Sequence, residues 1–382
     1  MSVWREKMGS TLSGLRVDEG AVLRWLKLDP WLVFALLLLL GVSAVTVYSA
    51  SHQSMSQMLN LGARIGMGLV LMLLMARIPP TVYQFWSPWL FAFGVLLLLA
   101  VELFGHVGKG AQRWLDLGFM RFQPSEILKL AVPMMAAWYL SLRILPPRPL
   151  DILVTLLIIA VPMGLIMVQP DLGTSILVGA AGMFVLFLAG LSWKYIAAFV
   201  AALGGLIPLL WQFGLHDYQR QRVMTLLDPE ADPLGTGYHI IQSKIAIGSG
   251  GVSGKGWLNS TQSNLDFLPE GHTDFIFAVF SEEFGLIGVA LLLLLYLFII
   301  LRGLYIAVQA PTVYGRLVAG SLSLSFFVYV FVNTGMVTGL LPVVGVPLPL
   351  VSYGGTAMVT LMAGFGMLMS IHTHRPFMAA SK

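Results

Sequence analysis

The sequence predicts an all-α, polytopic membrane protein of about ten transmembrane helices with a large outer loop between helices 7 and 8. Three observations carry this. Hydrophobic residues make up 57% of the chain and charged residues only 10%, against roughly 25% charged in a soluble domain, so most of the chain must face lipid or other buried helices. Apolar runs of about 20 residues, the length that crosses a bilayer, recur from Pro30 to the C-terminal region. Lysine and arginine gather in alternate connections, which sets the orientation of the spans.

Residues 1–29 carry Arg5, Lys7, Arg16, Arg24 and Lys27 and too few consecutive apolar residues for a signal peptide, so the first oily span is expected to stay as an anchor. On the length criterion the spans lie near 30–50, 58–77, 82–104, 123–142, 150–168, 172–190, 194–213, 275–301, 316–339 and 354–372. The organisation is then a cytoplasmic segment 1–29, a membrane domain 30–375 with the outer loop 214–274, and a cytoplasmic tail 376–382. The last two spans are the clearest, because no Asp, Glu, Lys or Arg occurs between Arg316 and Arg375. The fifth and sixth are divided only by Gln169-Pro170-Asp171, barely a turn. Ten spans place the N-terminus, Arg77, Arg143, Arg148, Lys194, Arg302, Arg316 and Arg375 on one face, which the positive-inside rule makes cytoplasmic. Glycine and proline in LPVVGVPLPLVSYGG (341–355) predict broken or closely packed helices and an outer re-entrant loop. With no cysteine, disulfides and thiolate metal sites are excluded.

Against this orientation, the outer segments 105–129 and 214–274 hold Lys109, Arg113, Arg121, Lys129, Arg220, Arg222, Lys244 and Lys255. Long loops cross whatever their charge, so the short first segment is the more informative. Clustered outer cations suit an anionic ligand arriving along the membrane, such as a lipid phosphate or diphosphate; simple anchoring to membrane lipid headgroups is the plainer alternative. Pro124 suits the first turn of a helix, and Glu126 and Lys129, three apart, share one face of it. They read equally as a local ion pair or as direct ligands. Trp114 fits an interfacial anchor. In the long loop Gln219, Arg220, Arg222 and Lys244 are the polar candidates, and Tyr238–Ile247 has the pattern of an amphipathic helix on the membrane surface. Residues Gly248–Gly256 look like a phosphate loop but have Ser249 and Gly256 where it needs Gly and Ser or Thr, so a nucleotide site is rejected.

Asp274 stands at the mouth of the eighth span, where desolvation makes a carboxylate expensive. Such groups are usually kept because they bind or react with something. His272 and Asp274, two apart without a third ligand nearby, do not make a zinc cage. A Mg²⁺ or Mn²⁺ bridging a diphosphate needs only one or two carboxylates and stays open. Nothing points to nucleic acid.

FLPEGHTDFIFAVFSEE, KGAQRWLDLG, RFQPSEILKLA, QPDLGTS, HDYQRQRV and PLPLVSYGG together resemble the SEDS (shape, elongation, division, sporulation) proteins, over about Asp29 to Arg375. TQSNLDFLPEGHTDFIF is closer to their rod-shape-determining type than to the division type. The resemblance implies a ten-helix protein of the bacterial cytoplasmic membrane that polymerises peptidoglycan from lipid II at the outer face during cell elongation. It also implies a partner, a class B penicillin-binding transpeptidase. By the same resemblance Asp274 matches an essential aspartate, and Arg121, Glu126 and Lys129 match functional residues around QPSE. Trp114, Asp171, Gln219 and Glu270 fall at other sensitive positions. Gly271 departs from the pattern, since many relatives carry a basic or bulkier residue there.

The residues support that chemistry in part by themselves. A glycosidase needs two carboxylates because its leaving alcohol must be protonated, whereas a lipid diphosphate leaves well with cations alone. One base, Asp274, and a cradle of Arg121 and Lys129, helped by Arg113, Arg220 or a divalent ion, are then enough. A lipid II flippase is the main alternative, although its charges would be expected to line a path to the midplane rather than cluster at the outer mouth. A noncatalytic scaffold would leave Asp274 unexplained.

Overall fold

A computed structural model describes residues 27–374 other than 109–110, 117–120, 210, 213–216, 232–235, 266 and 269–270, and of Arg121 and Gln219 it describes the backbone alone. Thirteen α-helices occur among the described residues: α1 Pro30–Ala50, α2 Met55–Arg77, α3 Pro80–Phe104, α4 Ser125–Ser141, α5 Pro149–Val168, α6 Leu172–Leu188, α7 Trp193–Leu209, α8 Asp217–Leu227, α9 Thr236–Gly250, α10 Thr261–Asn264, α11 Ile276–Gln309, α12 Val313–Val337 and α13 Thr356–Thr373. Seven of them (α1, α2, α3, α5, α11, α12 and α13) are long and apolar enough to cross a bilayer, so the protein is an integral membrane protein. Helices α4, α6 and α7 coincide with the three remaining expected spans but run 17 residues each, short of the usual ~20.

The fold is not purely α-helical. Three short strands, β1 His106–Gly108, β2 Ala111–Asp116 and β3 Arg121–Phe122, pair antiparallel in sequence order. Here the glycine-rich connection leaves the helix bundle, and Leu115 faces Phe122 across the ladder. Too polar and glycine-rich for a span, the segment satisfies part of its backbone by pairing with itself.

Helix starts follow local chemistry. Asp29 accepts from Leu32 N at 2.8 Å and Pro30 opens α1, while Asp171 accepts from Thr174 N at 3.2 Å to cap α6. Helix α13 lies along α2, and α11 along α12. The α2–α13 approach depends on Gly366, where a Cβ would come within 2.5 Å of the Met72 carbonyl. Broad apolar faces, including Leu59, Trp89, Phe93, Leu96 and Leu153, remain exposed for lipid.

Helix α11 breaks at Gly285, whose φ of 61° and ψ of −165° leave the helical region. The break frees backbone groups on both sides, and the segment after α9 takes them up. Lys255 N and Gly256 N donate to the Glu282 and Glu283 carbonyls at 3.0 Å each, while Leu286 N and Ile287 N donate to Gly251 O and Val252 O. The buried Glu282 carboxylate accepts from Lys255 Nζ, Ser260 Oγ and Thr261 Oγ1 at 2.6 Å each. Glu283 accepts from Ser49 Oγ and Leu258 N. The far part of the long loop is therefore fastened to α11.

The helix expected over 238–247 is present as α9. One face of it, Ile240, Ser243 and Ala246, is buried, and Ser243 Oγ donates to Val337 O at 2.8 Å, so α9 rests on the ends of α11 and α12. Residues 341–355 form the expected non-helical loop between α12 and α13 and dip into the bundle. There Tyr296 Oη holds Pro349 O at 2.8 Å and Ser43 Oγ holds Val351 O at 2.9 Å. Buried side-chain donors thus replace the missing helix bonds, the condition for irregular backbone at this depth. At the opposite end, the buried Asp29 pairs with Arg302 at 2.6 Å and with His372 at 3.2 Å, tying the starts and ends of α1, α11 and α13 together.

Candidate active site

The turn between α5 and α6, the strand β2, the start of α4, the 345–355 loop and the first residues of α13 converge on one cavity of about 680 Å³. Its walls carry Arg113, Trp114, Gln123, Glu126, Lys129 and Asp171 from the first half of the chain. His272, Thr273, Tyr329, Gly345 and Tyr353 come from the second half, and Arg64 from α2. Five of the residues read as candidates from sequence are thus brought together from segments far apart in the chain.

The charges are arranged unequally. Lys129 Nζ lies 2.7 Å from Glu126 Oε1, and 5.3 Å from the Tyr329 ring centre. The sharing of a helix face expected for this pair has become an ion pair that also lines the cavity. The other carboxylate oxygen, Glu126 Oε2, is buried without a partner among the described residues. Arg113 donates to the carbonyls of Gln169 and Pro170 and sits 3.9 Å from Asp171, fastening β2 to the α5–α6 turn. Gln123 Nε2 donates to the same Asp171 carboxylate at 3.0 Å. Arg64 differs from both cations. Its guanidinium carbon lies 4.3 Å above the Tyr353 ring, and no described carboxylate pairs with it. An arginine stacked on an aromatic face in a cavity keeps its fork free for a planar or tetrahedral anion.

Arg64 was not among the sequence candidates, although the signal was there: it is the only Asp, Glu, Lys or Arg between Met55 and Ala76, and a lone charge within a span suggests function. Gln123 and Tyr353 lie within RFQPSEILKLA and PLPLVSYGG but carry no charge to single them out, and Tyr329 sits in an uncharged span.

Asp274 is half-buried and does not itself line the cavity, but it stands next to residues that do. Its sequence neighbours His272 and Thr273 line the wall, and Asp274 Oδ2 lies 3.6 Å from where a Cβ on Gly345 would stand. The structure places Arg220 and Lys244 elsewhere. Arg220 donates to Gln212 O at 2.9 Å from α8, and the Lys244 stem runs against Gly339 on the outside of α9. The backbone of Arg121 pairs with Asp116 in the sheet and Gln219 lies on α8; their side chains, and all of Glu270, lie outside the described residues. No group of three His, Asp or Glu able to cage a metal occurs among the described residues.

Next to the polar cavity, sharing Lys129, Leu177 and Tyr329 with it, a small recess of about 40 Å³ is walled by apolar residues including Leu130, Leu322, Phe326 and Phe365.

Residues 22–376 match the family described as cell cycle protein, comprising FtsW, RodA and SpoVE. The chain is 59% identical over 354 residues to the peptidoglycan glycosyltransferase MrdB of Escherichia coli K12, covering 93% of this chain and 96% of that one. It is similar to a solved chain of a peptidoglycan synthase complex, in which polymerization and crosslinking are structurally coordinated, with a TM-score of 0.79, 30% identity, and 90% and 97% of the two chains covered. It is also similar to the rod shape determining protein RodA of Thermus thermophilus, with a TM-score of 0.70, 28% identity, and 91% and 97% covered. With a match over nearly its full length, and with the cavity built from the same segments that carry the motifs, the chain belongs to the FtsW, RodA and SpoVE family.

Proposed function

We propose that the protein is a peptidoglycan glycosyltransferase that polymerises lipid II at the outer face of the bacterial cytoplasmic membrane during cell elongation. The observation that carries the reading is the cavity itself: Arg64, Arg113 and Lys129 line a polar space that meets an apolar recess, and the Asp274 carboxylate lies beside Gly345 of its wall. Asp274 accepts the proton of the acceptor's GlcNAc 4-hydroxyl as that oxygen attacks the anomeric carbon of the donor MurNAc. The bond to the lipid diphosphate breaks with its electron pair on the departing phosphate oxygen, and configuration inverts. General-base assistance of this kind is worth about 10² to 10⁴ in rate. Arg64, with Arg113, Arg121 and Lys129, stabilises the leaving diphosphate electrostatically. When Mg²⁺ or Mn²⁺ is bound it adds charge at the diphosphate, and Asp274 or the unpartnered Glu126 Oε2 is the protein oxygen that would hold it.

Ten crossings, with α4, α6 and α7 completing the seven longer spans, put both termini in the cytoplasm and the 214–274 loop outside. A class B penicillin-binding transpeptidase fits as the partner, its transmembrane helix against the late spans and its outer domain near that loop; the related synthase complex supports this. The lipid II flippase reading draws on the depth of Arg64, nine residues into α2, about 13 Å along the helix. Purified protein given lipid II in vesicles separates the readings. Glycan polymer without a partner or energy source is the expected product, and lipid movement without polymer would favour the flippase.

A further inference from the structure

Three consecutive carbonyls precede α11, and each is held from a different place. Tyr353 N donates to His272 O at 2.9 Å, Ser352 Oγ to Thr273 O at 2.7 Å, and Asn333 Nδ2 to Asp274 O at 2.8 Å. Both side chains do double duty. Asn333, fully buried on α12, also donates from Nδ2 to Val346 O at 2.7 Å, and Ser352 Oγ accepts from Leu348 N at 2.8 Å. The 272–274 segment and the 345–353 loop are thereby joined through two side chains that do not themselves line the cavity. Gly345, with φ of 73°, brings that loop against the Asp274 carboxylate.

We infer that Asn333 and Ser352 are positioning residues that set the depth and direction of the Asp274 carboxylate beside Gly345 of the cavity wall. The inference rests on the reading of Asp274 as the base. A base borne on a connecting segment has no helix to aim it, and proton abstraction requires its oxygen within hydrogen-bond reach of the hydroxyl. Holding the main-chain carbonyl of the residue itself, and that of the residue before it, removes the backbone freedom that would swing the carboxylate away. A misplacement of ~1 Å can cost about 10²-fold in rate. The arrangement does not act by binding substrate, so its loss should appear in turnover rather than in affinity.

The test uses the full-length protein in vesicles with lipid II. Asn333→Asp keeps the shape but removes both donated hydrogen bonds, and Ser352→Ala removes one hydroxyl. Each is expected to lower kcat about ten- to hundredfold while KM for lipid II stays within about twofold; the Tm of Ser352→Ala should stay within a few degrees, whereas Asn333→Asp, which sets a carboxylate against two buried carbonyls, should also melt earlier. Ser352→Thr, which keeps the hydroxyl, should recover most of the lost turnover. Normal kcat in both variants overturns the inference. So does a parallel loss of lipid II affinity or insertion in Ser352→Ala, which would make the contacts merely structural. Asp274→Asn is measured alongside: if it turns over normally the base reading falls, whereas an inactive Asp274→Asn beside fully active Asn333→Asp and Ser352→Ala removes only the positioning role.

Discussion

Lys129 Nζ meets Glu126 Oε1 at 2.7 Å, one helical turn apart on α4, with both side chains almost fully withdrawn from solvent. The lysine is therefore already neutralised before any anion enters the cavity. Removing one member of such a pair leaves an uncompensated charge, which costs roughly 3–5 kcal/mol. Lys129→Met should accordingly lose both stability and polymerisation. Glu126→Gln combined with Lys129→Met should regain most of the thermal stability but not the activity. Differential scanning fluorimetry read beside lipid II turnover checks this, and a double variant as unstable as the single one would count against the pairing.

Among the described cations that line the cavity, Arg64 is the one without a carboxylate. Arg64→Ala should raise KM for lipid II about tenfold or more, because a charge-assisted contact to the diphosphate is lost. Arg64→Lys should recover little of it, since an ammonium neither stacks on Tyr353 in the same way nor offers a fork. Binding of a fluorescent lipid diphosphate to the two variants gives a direct reading.

Glu282 gathers donors from Lys255, Ser260, Thr261 and the Gln262 amide. Glu282→Ala leaves them unpaired and should cost about 1–3 kcal/mol locally. Hydrogen exchange at the Thr261 and Gln262 amides should then speed up by about tenfold or more, whereas exchange in α2 should be unchanged.

Arg302 tests the opposite end of the bundle. Among the described residues its loss leaves the fully buried Asp29 with His372 and its own helix cap, so Arg302→Met should lower stability by about 3–5 kcal/mol. Specific activity at temperatures well below the melting transition should remain near wild type, because the cavity lies at the other end. Thermal shift and turnover measured on the same preparation separate the two effects.

The helices were legible in the sequence because bilayer thickness imposes a length that apolar runs display openly; α1, α5 and α6 begin within a residue or two of their expected starts. The β1–β3 hairpin region was not, since its strands are only 3, 6 and 2 residues long and carry no sustained alternation. Within the site, Glu126 and Lys129 were readable from their place at a helix start, and Asp171 only through the family resemblance. The long-loop cations were not readable in the same way: composition put Arg220 and Lys244 beside Arg113, but which side of α8 or α9 they occupy depends on packing. The Glu282 clamp was hidden for a related reason. Its donors lie 20 to 27 residues earlier and reach it only because α11 opens at Gly285.

If Asp274 takes the proton of the attacking hydroxyl, lipid II polymerisation by purified Asp274→Asn reports it most directly. Asparagine keeps the size of the side chain and leaves the main-chain carbonyl available to Asn333, so the variant should insert, melt and bind lipid II like the wild type. Its glycan synthesis should fall by about 10² to 10⁴. Glycan strands made by Asp274→Asn at near the wild-type rate would contradict the account.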